Sequence, residues 1–311
     1  MSICVLGSIN MDLVARAPHL PAPGETLTGH SFTTVPGGKG ANQAVACARL
    51  GTHTRLVGRV GGDGFGDALL RSLQDYGVDT THVTVDDAVS SGVALITVDD
   101  QAQNTIIVIP GANGRIGVPD LARLDQAFRD TSTSYLLLQL EVPLDAVVAA
   151  AGLARELGVG VILDPAPAAP LPADLYTLVD ILTPNESEAA ALVGFPVHEV
   201  DAAEAAAEVL LQRGTRRVVI KMGALGAYAA TTEGGKFYPA LPVTAVDTVA
   251  AGDAFNGALA VALAGGQSFE EALIWALAGG ACAVTVAGAQ PSMPDRDALL
   301  ALLARAEGWE G

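Results

Sequence analysis

Short apolar runs that end at glycine or at a polar residue alternate along this chain with longer runs rich in alanine and leucine. The short runs predict β-strands at residues 2–7, 54–60, 83–85, 92–98, 105–109, 135–140, 159–163, 179–182, 217–221, 227–231 and 241–246. The longer runs predict helices at residues 44–50, 67–76, 144–157, 254–264 and 270–286. Because strands alternate with helices from residue 37 to 287, we expect an α/β fold with a mostly parallel sheet and helices on both faces.

The stretch before residue 37 has a different pattern. Residues 18–36 contain several prolines and a polar alternation at 25–28, which predicts short edge strands or a lid rather than core. No internal repeat and no break in composition marks a second domain. We therefore expect a single domain over residues 1–311, with a small β lid formed by insertions at about 13–36 and 88–110.

Composition narrows the possible partners. Half of the residues are apolar and only 16% are charged, so a large core is available. Asp and Glu outnumber Lys and Arg by 34 to 17, and the net charge of −17 argues against a nucleic-acid or anionic-membrane surface. The alanine- and glycine-rich stretch 272–289 is borderline in length for a bilayer span, and a buried helix is the better interpretation.

The cysteines and the N-terminus indicate a compartment. Cys4, Cys47 and Cys282 are odd in number and lie in apolar surroundings, which predicts buried free thiols in a reducing environment. The chain enters an apolar run at once, so we expect no secretory signal. Both observations predict a cytoplasmic protein.

Residues 247–257 combine small side chains with a carboxylate at the predicted start of a helix. Only alanine or glycine occupies positions 250–252, so a ligand can approach the main chain closely. Free N–H groups at a helix start, reinforced by the helix dipole, bind anions such as phosphate. Asp253 would repel that phosphate unless it accepts a proton from a nucleophile as the phosphoryl group arrives. The alternative is that Asp253 is an ordinary N-cap.

A second glycine-rich motif, Gly-Gly-Lys-Gly-Ala-Asn-Gln, occupies residues 37–43 and leads into a predicted helix. Its spacing is not that of a Walker A loop, but three glycines around one lysine can bind an anion or hydroxyl groups; a surface turn is the alternative. Asn10 and Asp12 follow the first strand at alternate positions and so face one side of an extended chain. They can hold a polyol there, or form a turn.

Other polar groups also follow predicted strands. Glu141 comes directly after strand 135–140, where open α/β sheets place ligand contacts, or else it caps the next helix. Asn185 and Glu188 are three residues apart at a helix start, which suits hydrated Mg²⁺ or a capping interaction. The glycine-bearing turn at 222–226 can cover the phosphates of a nucleotide.

Two of these stretches resemble the signatures of the PfkB carbohydrate kinase family: residues 37–44, with Gly51 and Gly61 at the family spacing, and residues 247–259. The motifs at 10–12, 138–141 and 183–188 occur in the family's order, and the resemblance covers essentially the whole chain. It implies a Rossmann-like, three-layer α/β/α fold with a small β-sheet lid. It also implies ATP-dependent phosphorylation of a sugar.

The resemblance assigns roles to individual residues. Asp253 resembles the catalytic base, and the backbone N–H groups of Ala250, Ala251 and Gly252 resemble the anion hole for the transferred phosphoryl group. Positions that match the family's sugar contacts are Asn10, Met11, Asp12, Gly38, Lys39, Gly40, Ala41, Asn42, Glu141 and Asp253. Positions that match its ATP contacts are Asn185, Lys221, Met222, Gly223, Ala224, Leu225, Gly226, Gly252, Asp253 and Leu277.

Cations and partners follow from the same resemblance. Asn185 and Glu188 match the motif that holds Mg²⁺ through water. The loops for an activating monovalent cation, usually K⁺, are matched by Asp247, Val249, Ala283, Val286, Gly288 and Ser292. The expected partners are D-ribose, ATP and a second copy of the chain, as a homodimer formed through the lid; no nucleic acid and no membrane are expected.

D-ribose, phosphorylated at its 5-hydroxyl, is the substrate that the motifs favour by resemblance. Fructose, 2-keto-3-deoxygluconate or a nucleoside are alternatives, and so is a non-catalytic sugar sensor on the same fold.

Three positions depart from the family pattern. Ala250 replaces a common glycine, Lys221 replaces a common hydroxyl residue, and Leu277 replaces a polar residue near the adenine.

Overall fold

The computed structural model describes residues 2–101 and 103–306, which form thirteen strands and ten α-helices. The strands are β1 (Ser2–Leu6), β2 (Asn10–Arg16), β3 (Ser31–Gly37), β4 (His53–Gly61), β5 (Val83–Asp86), β6 (Gly92–Val98), β7 (Asn104–Ile109), β8 (Thr133–Leu138), β9 (Gly160–Leu163), β10 (Ile181–Leu182), β11 (Arg217–Lys221), β12 (Gly226–Thr231) and β13 (Gly234–Pro239). Met1, Ala102 and residues 307–311, which the predicted domain includes, lie outside the described residues.

The helices are α1 (Lys39–Arg49), α2 (Gly64–Asp75), α3 (Val118–Asp130), α4 (Leu144–Glu156), α5 (Ala173–Leu178), α6 (Glu186–Val193), α7 (Val200–Gln212), α8 (Ala251–Ala264), α9 (Phe269–Ala283) and α10 (Arg296–Ala306). Short 3₁₀ turns lie at Gly111–Arg115, Gly223–Leu225 and Gln290–Ser292. Within the described part of the chain, no helix has both the length and the apolar composition needed to cross a membrane.

Nine strands form the main sheet, in the order β13-β12-β11-β10-β9-β8-β1-β4-β5. Neighbours from β11 to β5 run parallel, whereas β12 and β13 pair antiparallel at one edge. The interior strand β1 pairs Val5 with Leu56 of β4 and with Leu137 of β8. Parallel neighbours require crossover connections, which place helices on the sheet faces.

Side chains of β1 alternate between two cores. Ile3 and Val5 pack with residues of α1, α2, α8, α9 and α10, whereas Cys4 and Leu6 pack with residues of α3 to α7. The strand is therefore covered on both faces, which explains why it is a continuous apolar run rather than an alternating one. The predicted α/β fold, with a mostly parallel sheet between two helical layers, is confirmed.

The other four strands form a small sheet in the order β3-β2-β6-β7. It joins the main sheet where β1 leads into β2 and where β3 leads into α1. Every residue of the edge strand β7 is exposed, including Ile107 at 63%. The expected lid insertions at 13–36 and 88–110 overlap this sheet, although residues 17–30 contain no strand. That the sheet acts as a lid stays a prediction.

Helix α8 packs very closely between α1 and α9. A methyl group added at Gly257 would lie 2.5 Å from the Cβ atom of Ala46 in α1. One added at Gly279 in α9 would lie 2.7 Å from the Cβ atom of Ala258. Carbon atoms in favourable contact are about 3.5–4.0 Å apart, so neither glycine can gain a side chain without displacement of a helix.

Several sequence predictions are wrong in detail. Residues 241–246 form no strand, and α1 begins at Lys39 rather than at residue 44. Helix α8 begins at Ala251 rather than at residue 254, and α9 ends at Ala283 rather than at residue 286. Glycine is a poor helix former, so glycine-rich first turns are hard to recognise from composition.

Cys4 and Cys47 are buried free thiols as predicted, but Cys282 is only partly buried because it borders a cavity between α9 and α10.

Candidate active site

The first turn of α8 faces the carboxyl end of the main sheet. Its N-cap, Ala250, has φ 59° and ψ 12°, a left-handed conformation that no other non-glycine residue adopts within 2–101 and 103–306. Alanine pays a steric penalty in this conformation and glycine does not. The first N–H groups of a helix have no acceptor within the helix, so that of Gly252 is available to a ligand, whereas that of Ala251 makes a long bond of 3.4 Å to the Thr248 carbonyl oxygen.

Asp253 is the third residue of α8 and does not act as its N-cap. Its buried carboxylate accepts hydrogen bonds from Asn42 Nδ2 at 3.0 Å and from Gln43 Nε2 at 3.1 Å, both in α1. The glycine-rich motif at 37–43 and the motif at 247–257 therefore meet at this carboxylate. The N-cap alternative for Asp253 is wrong, because no side chain caps this helix.

The pKa of Asp253 is raised to about 6; burial is the largest cause, and the charge of Asp164 acts in the same direction. The ammonium group of Lys39 opposes both effects, as do the hydrogen bonds from Asn42 and Gln43. A carboxylate with a pKa near the working pH is ionised at neutral pH and is still a better proton acceptor than an exposed aspartate.

Two lysines and Asp164 lie beside this carboxylate. Asp164 follows β9 and is buried; Lys221, at the end of β11, donates to its Oδ1 at 2.8 Å, and Lys39 Nζ lies 3.8 Å from its Oδ2. Burial alone would lower the pKa of Lys39, but the carboxylates of Asp253, Asp164 and Glu141 raise it above its ordinary value. Lys221 Nζ would lie 3.3 Å from a methyl group placed on Gly252, so this cation lies over the start of α8.

Glu141 lies at the junction of the two sheets. Its Oε2 accepts from the backbone N–H of Lys39 at 3.1 Å, from Ser8 Oγ at 2.5 Å and from Asn10 Nδ2 at 3.4 Å. The alternative that it caps α4 is wrong, since Pro143 is the N-cap and no side chain caps that helix. Asn113 holds the other end of the Asn10 side chain, donating to its Oδ1 at 2.7 Å.

Asp12 lies in β2 with its carboxylate against Gly37, where an added methyl group would meet Oδ2 at 2.5 Å. Burial raises its pKa to about 7, and the charges of Glu141 and Asp253 contribute to the rise. Gly38 has φ 91°, and a side chain there would collide with the backbone of Asn10 at 2.7 Å. The surface-turn alternative for residues 37–43 is wrong, because the motif is packed against β1 and β2.

Asn185 and Glu188 form a reciprocal capping box at the start of α6. Asn185 Oδ1 accepts from the backbone N–H of Glu188 at 2.8 Å, and Glu188 Oε2 accepts from the backbone N–H of Asn185 at 2.8 Å. The capping interpretation is therefore correct. It leaves room for a cation contact, since each carboxylate oxygen has a further lone pair. Burial raises the pKa of Glu188, and Lys221 counteracts the rise.

The predicted ATP positions fall at the starts of α6 and α8, in the turn between β11 and β12, and in α9. Asn185 and Lys221 lie side by side in a parallel bridge, and the 3₁₀ turn Gly223–Leu225 follows. Gly226 has φ 127°, and a side chain there would meet the Tyr238 carbonyl oxygen. Leu277 is partly buried in α9. Met11 and Ala41 are buried in the core, so neither side chain is exposed to a sugar.

Asp247 joins the two loops that were matched to a monovalent cation. Its Oδ1 accepts from Val249 N at 3.0 Å and its Oδ2 from Gly288 N at 2.9 Å. The turn after α9 is closed by a bond from Val286 N to the Ala283 carbonyl, and Ser292 Oγ donates to the Ala289 carbonyl at 2.7 Å. In residues 2–101 and 103–306, no three His, Cys, Asp or Glu side chains are grouped closely enough to hold a metal ion by themselves.

Five residues in this network were absent from the predicted site. They are Ser8, Gln43, Asn113, Gln139 and Asp164. Three of them carried a signal in the sequence: Gln43 ends the glycine-rich motif, Gln139 interrupts an apolar run, and Asp164 directly follows one. Asn113 gave only a turn signal, because its partners lie in another part of the chain.

Buried carboxylates and lysines beside free helix-start amides, at the carboxyl ends of parallel strands, define the class of the protein: an α/β small-molecule kinase. The chain matches the pfkB family of carbohydrate kinases over residues 1–296. It is 39% identical over 305 residues to ribokinase from Haemophilus influenzae, covering 98% of this chain and 99% of that protein. It is 38% identical over 296 residues to deoxyribokinase from Salmonella typhimurium, covering 94% and 96%.

Among solved structures, Arabidopsis thaliana ribokinase complexed with ribose and ATP superimposes with a TM-score of 0.89 at 34% identity, covering 97% of this chain and 98% of that one. The protein therefore belongs to the pfkB carbohydrate kinase family.

Proposed function

We propose that the protein transfers the γ-phosphoryl group of ATP to the 5-hydroxyl of D-ribose, giving D-ribose 5-phosphate and ADP. Relatives named ribokinase, from bacteria, yeast and mouse, share 38–40% identity with it over nearly its whole length. The observation that carries the proposal is the position of Asp253, a buried carboxylate between the sugar-type loop of α1 and the free amides of α8.

In this reaction Asp253 is the base. It accepts the proton of the sugar hydroxyl while that oxygen attacks the γ-phosphorus, and the bond to the bridging oxygen of ADP breaks. A positioned base of this kind contributes typically about 10²–10⁴-fold to the rate. Its burial supports the assignment, because exclusion of water limits hydrolysis of ATP.

The phosphoryl group is held by the main chain and by cations. The amides of Ala250, Ala251 and Gly252 line the anion hole, and Lys221 adds a positive charge beside Gly252. Phosphoryl transfer depends mainly on positioning and charge neutralisation, which such an arrangement provides.

The sugar hydroxyls meet a cluster of polar side chains. Asn10, Asp12, Glu141, Lys39 and Asn42 are the proposed contacts. The Oδ1 atom of Asn42 is buried and has no hydrogen-bond partner in the described part of the protein, so it can accept a hydroxyl. An unpaired buried acceptor is costly unless a ligand satisfies it.

Two cations complete the proposal. Asn185 and Glu188 supply oxygens for Mg²⁺ through water, and Mg²⁺ would neutralise the phosphates; an ion that keeps most of its waters needs few protein ligands. K⁺ would bind the loops around Asp247 through that carboxylate, the main chain of Val249, Ala283, Val286 and Gly288, and Ser292. The direct bonds from Asp247 to both loops support this site.

The protein acts as a homodimer joined through the small sheet, in the cytoplasm. The exposed apolar residues Phe32, Ile106 and Ile107 support the dimer, since an unpaired apolar edge strand is otherwise an aggregation hazard. The free thiols of Cys4 and Cys47 support a reducing compartment. In the same dimer the small sheet closes over the sugar as a lid.

A second candidate substrate is 2-deoxy-D-ribose. The relative named deoxyribokinase is as similar to this chain as several of the ribokinases are. The two sugars differ by one hydroxyl, and a site that hydrogen-bonds a hydroxyl rejects the analogue that lacks it.

Steady-state kinetics with MgATP, with and without K⁺, distinguish the candidates. Ribose, 2-deoxyribose, fructose, 2-keto-3-deoxygluconate and a nucleoside are compared by kcat/KM. We expect ribose to be phosphorylated fastest and K⁺ to increase the rate. A higher kcat/KM for any other member of the panel would replace ribose as the substrate, and no turnover with any of them would refute the kinase assignment.

A further inference from the structure

Gln43 lies between the proposed base and a second buried carboxylate. Its side chain is fully buried, and its Nε2 atom donates to Asp253 Oδ1 at 3.1 Å and to Asp164 Oδ2 at 3.2 Å. A side-chain amide nitrogen carries two hydrogens, so each carboxylate receives one of them. One amide group therefore serves two negative charges.

The orientation of this amide is fixed from the other side. Gln139, at the end of β8, donates from Nε2 to Gln43 Oε1 at 2.6 Å. Ionised carboxylates accept hydrogen bonds only, so the nitrogen of Gln43 must face Asp253 and Asp164 while its oxygen faces Gln139. The chain of contacts leaves Gln43 no hydrogen for a ligand. Asn42, the preceding residue, differs because its Oδ1 has no partner among the described residues.

We infer that Gln43 is a positioning residue for the base: it holds the Asp253 carboxylate in place, keeps it ionised and separates it from Asp164. This inference rests on the proposed function, in which Asp253 accepts the proton of the sugar. Gln43 itself touches no reacting atom in that mechanism; it acts through Asp253.

The electrostatic surroundings explain why such a donor matters. Six charged groups act on Asp253 and on its immediate neighbours. They are Lys39 of α1, Asp12 of β2, Lys221 of β11, Glu141 after β8, Asp164 after β9 and Glu188 in the first turn of α6. Four of these six groups are carboxylates. A hydrogen bond to the ionised form lowers the pKa of a carboxyl group, which opposes burial and the repulsion from Asp164.

The test is the variant Gln43→Met, which keeps the length of the side chain and removes the amide. The acid limb, the fall of kcat/KM at low pH, reports the pKa of the base. Hydrogen bonds to charged groups are strong enough that loss of one should move this limb up by about one pH unit. At a pH below the apparent pKa of both proteins, kcat/KM of the variant should be about tenfold lower than that of the unchanged protein. The loss should shrink as the pH rises, because the base is then ionised in both proteins.

Controls separate this role from simple destabilisation. Leu124→Ala opens a cavity in the other helical layer, so it should lower the melting temperature and leave the acid limb in place. Gln139→Met removes only the group that orients Gln43, so it should shift the limb in the same direction by less. It also keeps the inference testable if Gln43→Met does not fold.

A second readout does not need turnover. Carbon-13 NMR titration of the aspartate carboxyl groups, with the Asp253 signal identified by its loss in Asp253→Asn, should show a higher pKa of Asp253 in Gln43→Met. If no sugar is phosphorylated, the proposed function fails while this titration still tests Gln43. An unchanged acid limb and an unchanged Asp253 titration in a folded Gln43→Met variant would overturn the inference, however low its kcat.

Discussion

Replacement of Asp253 by asparagine should abolish most activity and stabilise the protein. Asparagine has the same shape and no charge, and Asn42 can rotate its amide so that its unpaired Oδ1 accepts from the new side chain. The base is lost, so kcat should fall at least about a hundredfold, the low end of the range for a positioned base. ATP should still bind, since the amides of α8 are main-chain groups.

The effect on stability follows from the pKa of Asp253. It is raised from 3.8 to about 6 in the folded protein, so ionisation of this carboxyl costs folding free energy. The cost is absent well below pH 3.8, where the group is protonated in both states, and it grows with pH until the pH passes about 6. A difference of about two pKa units corresponds to about 3 kcal/mol. Asp253→Asn should therefore unfold at a higher temperature at pH 7.5 and at nearly the same temperature at pH 4.

The assay combines ADP release at saturating ribose with thermal unfolding at both pH values. Glu199→Gln is a matched control, because it removes the charge of an exposed carboxylate at the start of α7 that is not part of the proposed site. Its kcat and its melting temperature should be close to those of the unchanged protein. Near-normal turnover of Asp253→Asn would refute the base assignment, and a variant that is less stable at pH 7.5 would refute the electrostatic reasoning.

Three further predictions concern other parts of the molecule. Ala250→Gly should stabilise the protein by about 1 kcal/mol in chemical unfolding, because glycine adopts φ 59° without strain; a loss of stability would contradict this. Asp247→Ala should remove activation by K⁺, since it breaks the bonds to Val249 and Gly288, and KCl titration of the rate measures this; undiminished activation would exclude the site. Ile107→Asp should convert the dimer into a monomer in light scattering, whereas Val118→Asp, an exposed residue outside the small sheet, should not.

The sequence predicted the sheet well and the helix starts poorly. Strands such as β1 and β11 are continuous apolar runs because both of their faces are covered, and this pattern is visible without neighbours. Helices α3, α5, α7 and α10 had no counterpart among the predicted elements. Their apolar residues are interspersed with charged ones, so the composition of these segments does not mark them as helices. They are recognised only by how they pack on the sheet.

The site was predictable where one motif supplied several groups. Asp253, Lys39 and Asn42 belong to two motifs with recognisable chemistry. Gln43 and Asp164 matter because of contacts between residues more than a hundred positions apart, and such contacts follow from the sheet order rather than from local spacing. The capping box of Asn185 and Glu188 shows that the same side chains can satisfy a helix end and remain available to a cation.

The glycine at 257 has a consequence for turnover. It lies one helical turn after Asp253, and Ala46, which it contacts, lies one turn after Asn42. Replacement of Gly257 by any residue with a side chain would move α8 away from α1. The amide donors Asn42 and Gln43 would then lie farther from the Asp253 carboxylate. The distance between two helices that contact no substrate thus determines the position of the proton acceptor. Selection for catalysis therefore extends to residues in the middle of the core.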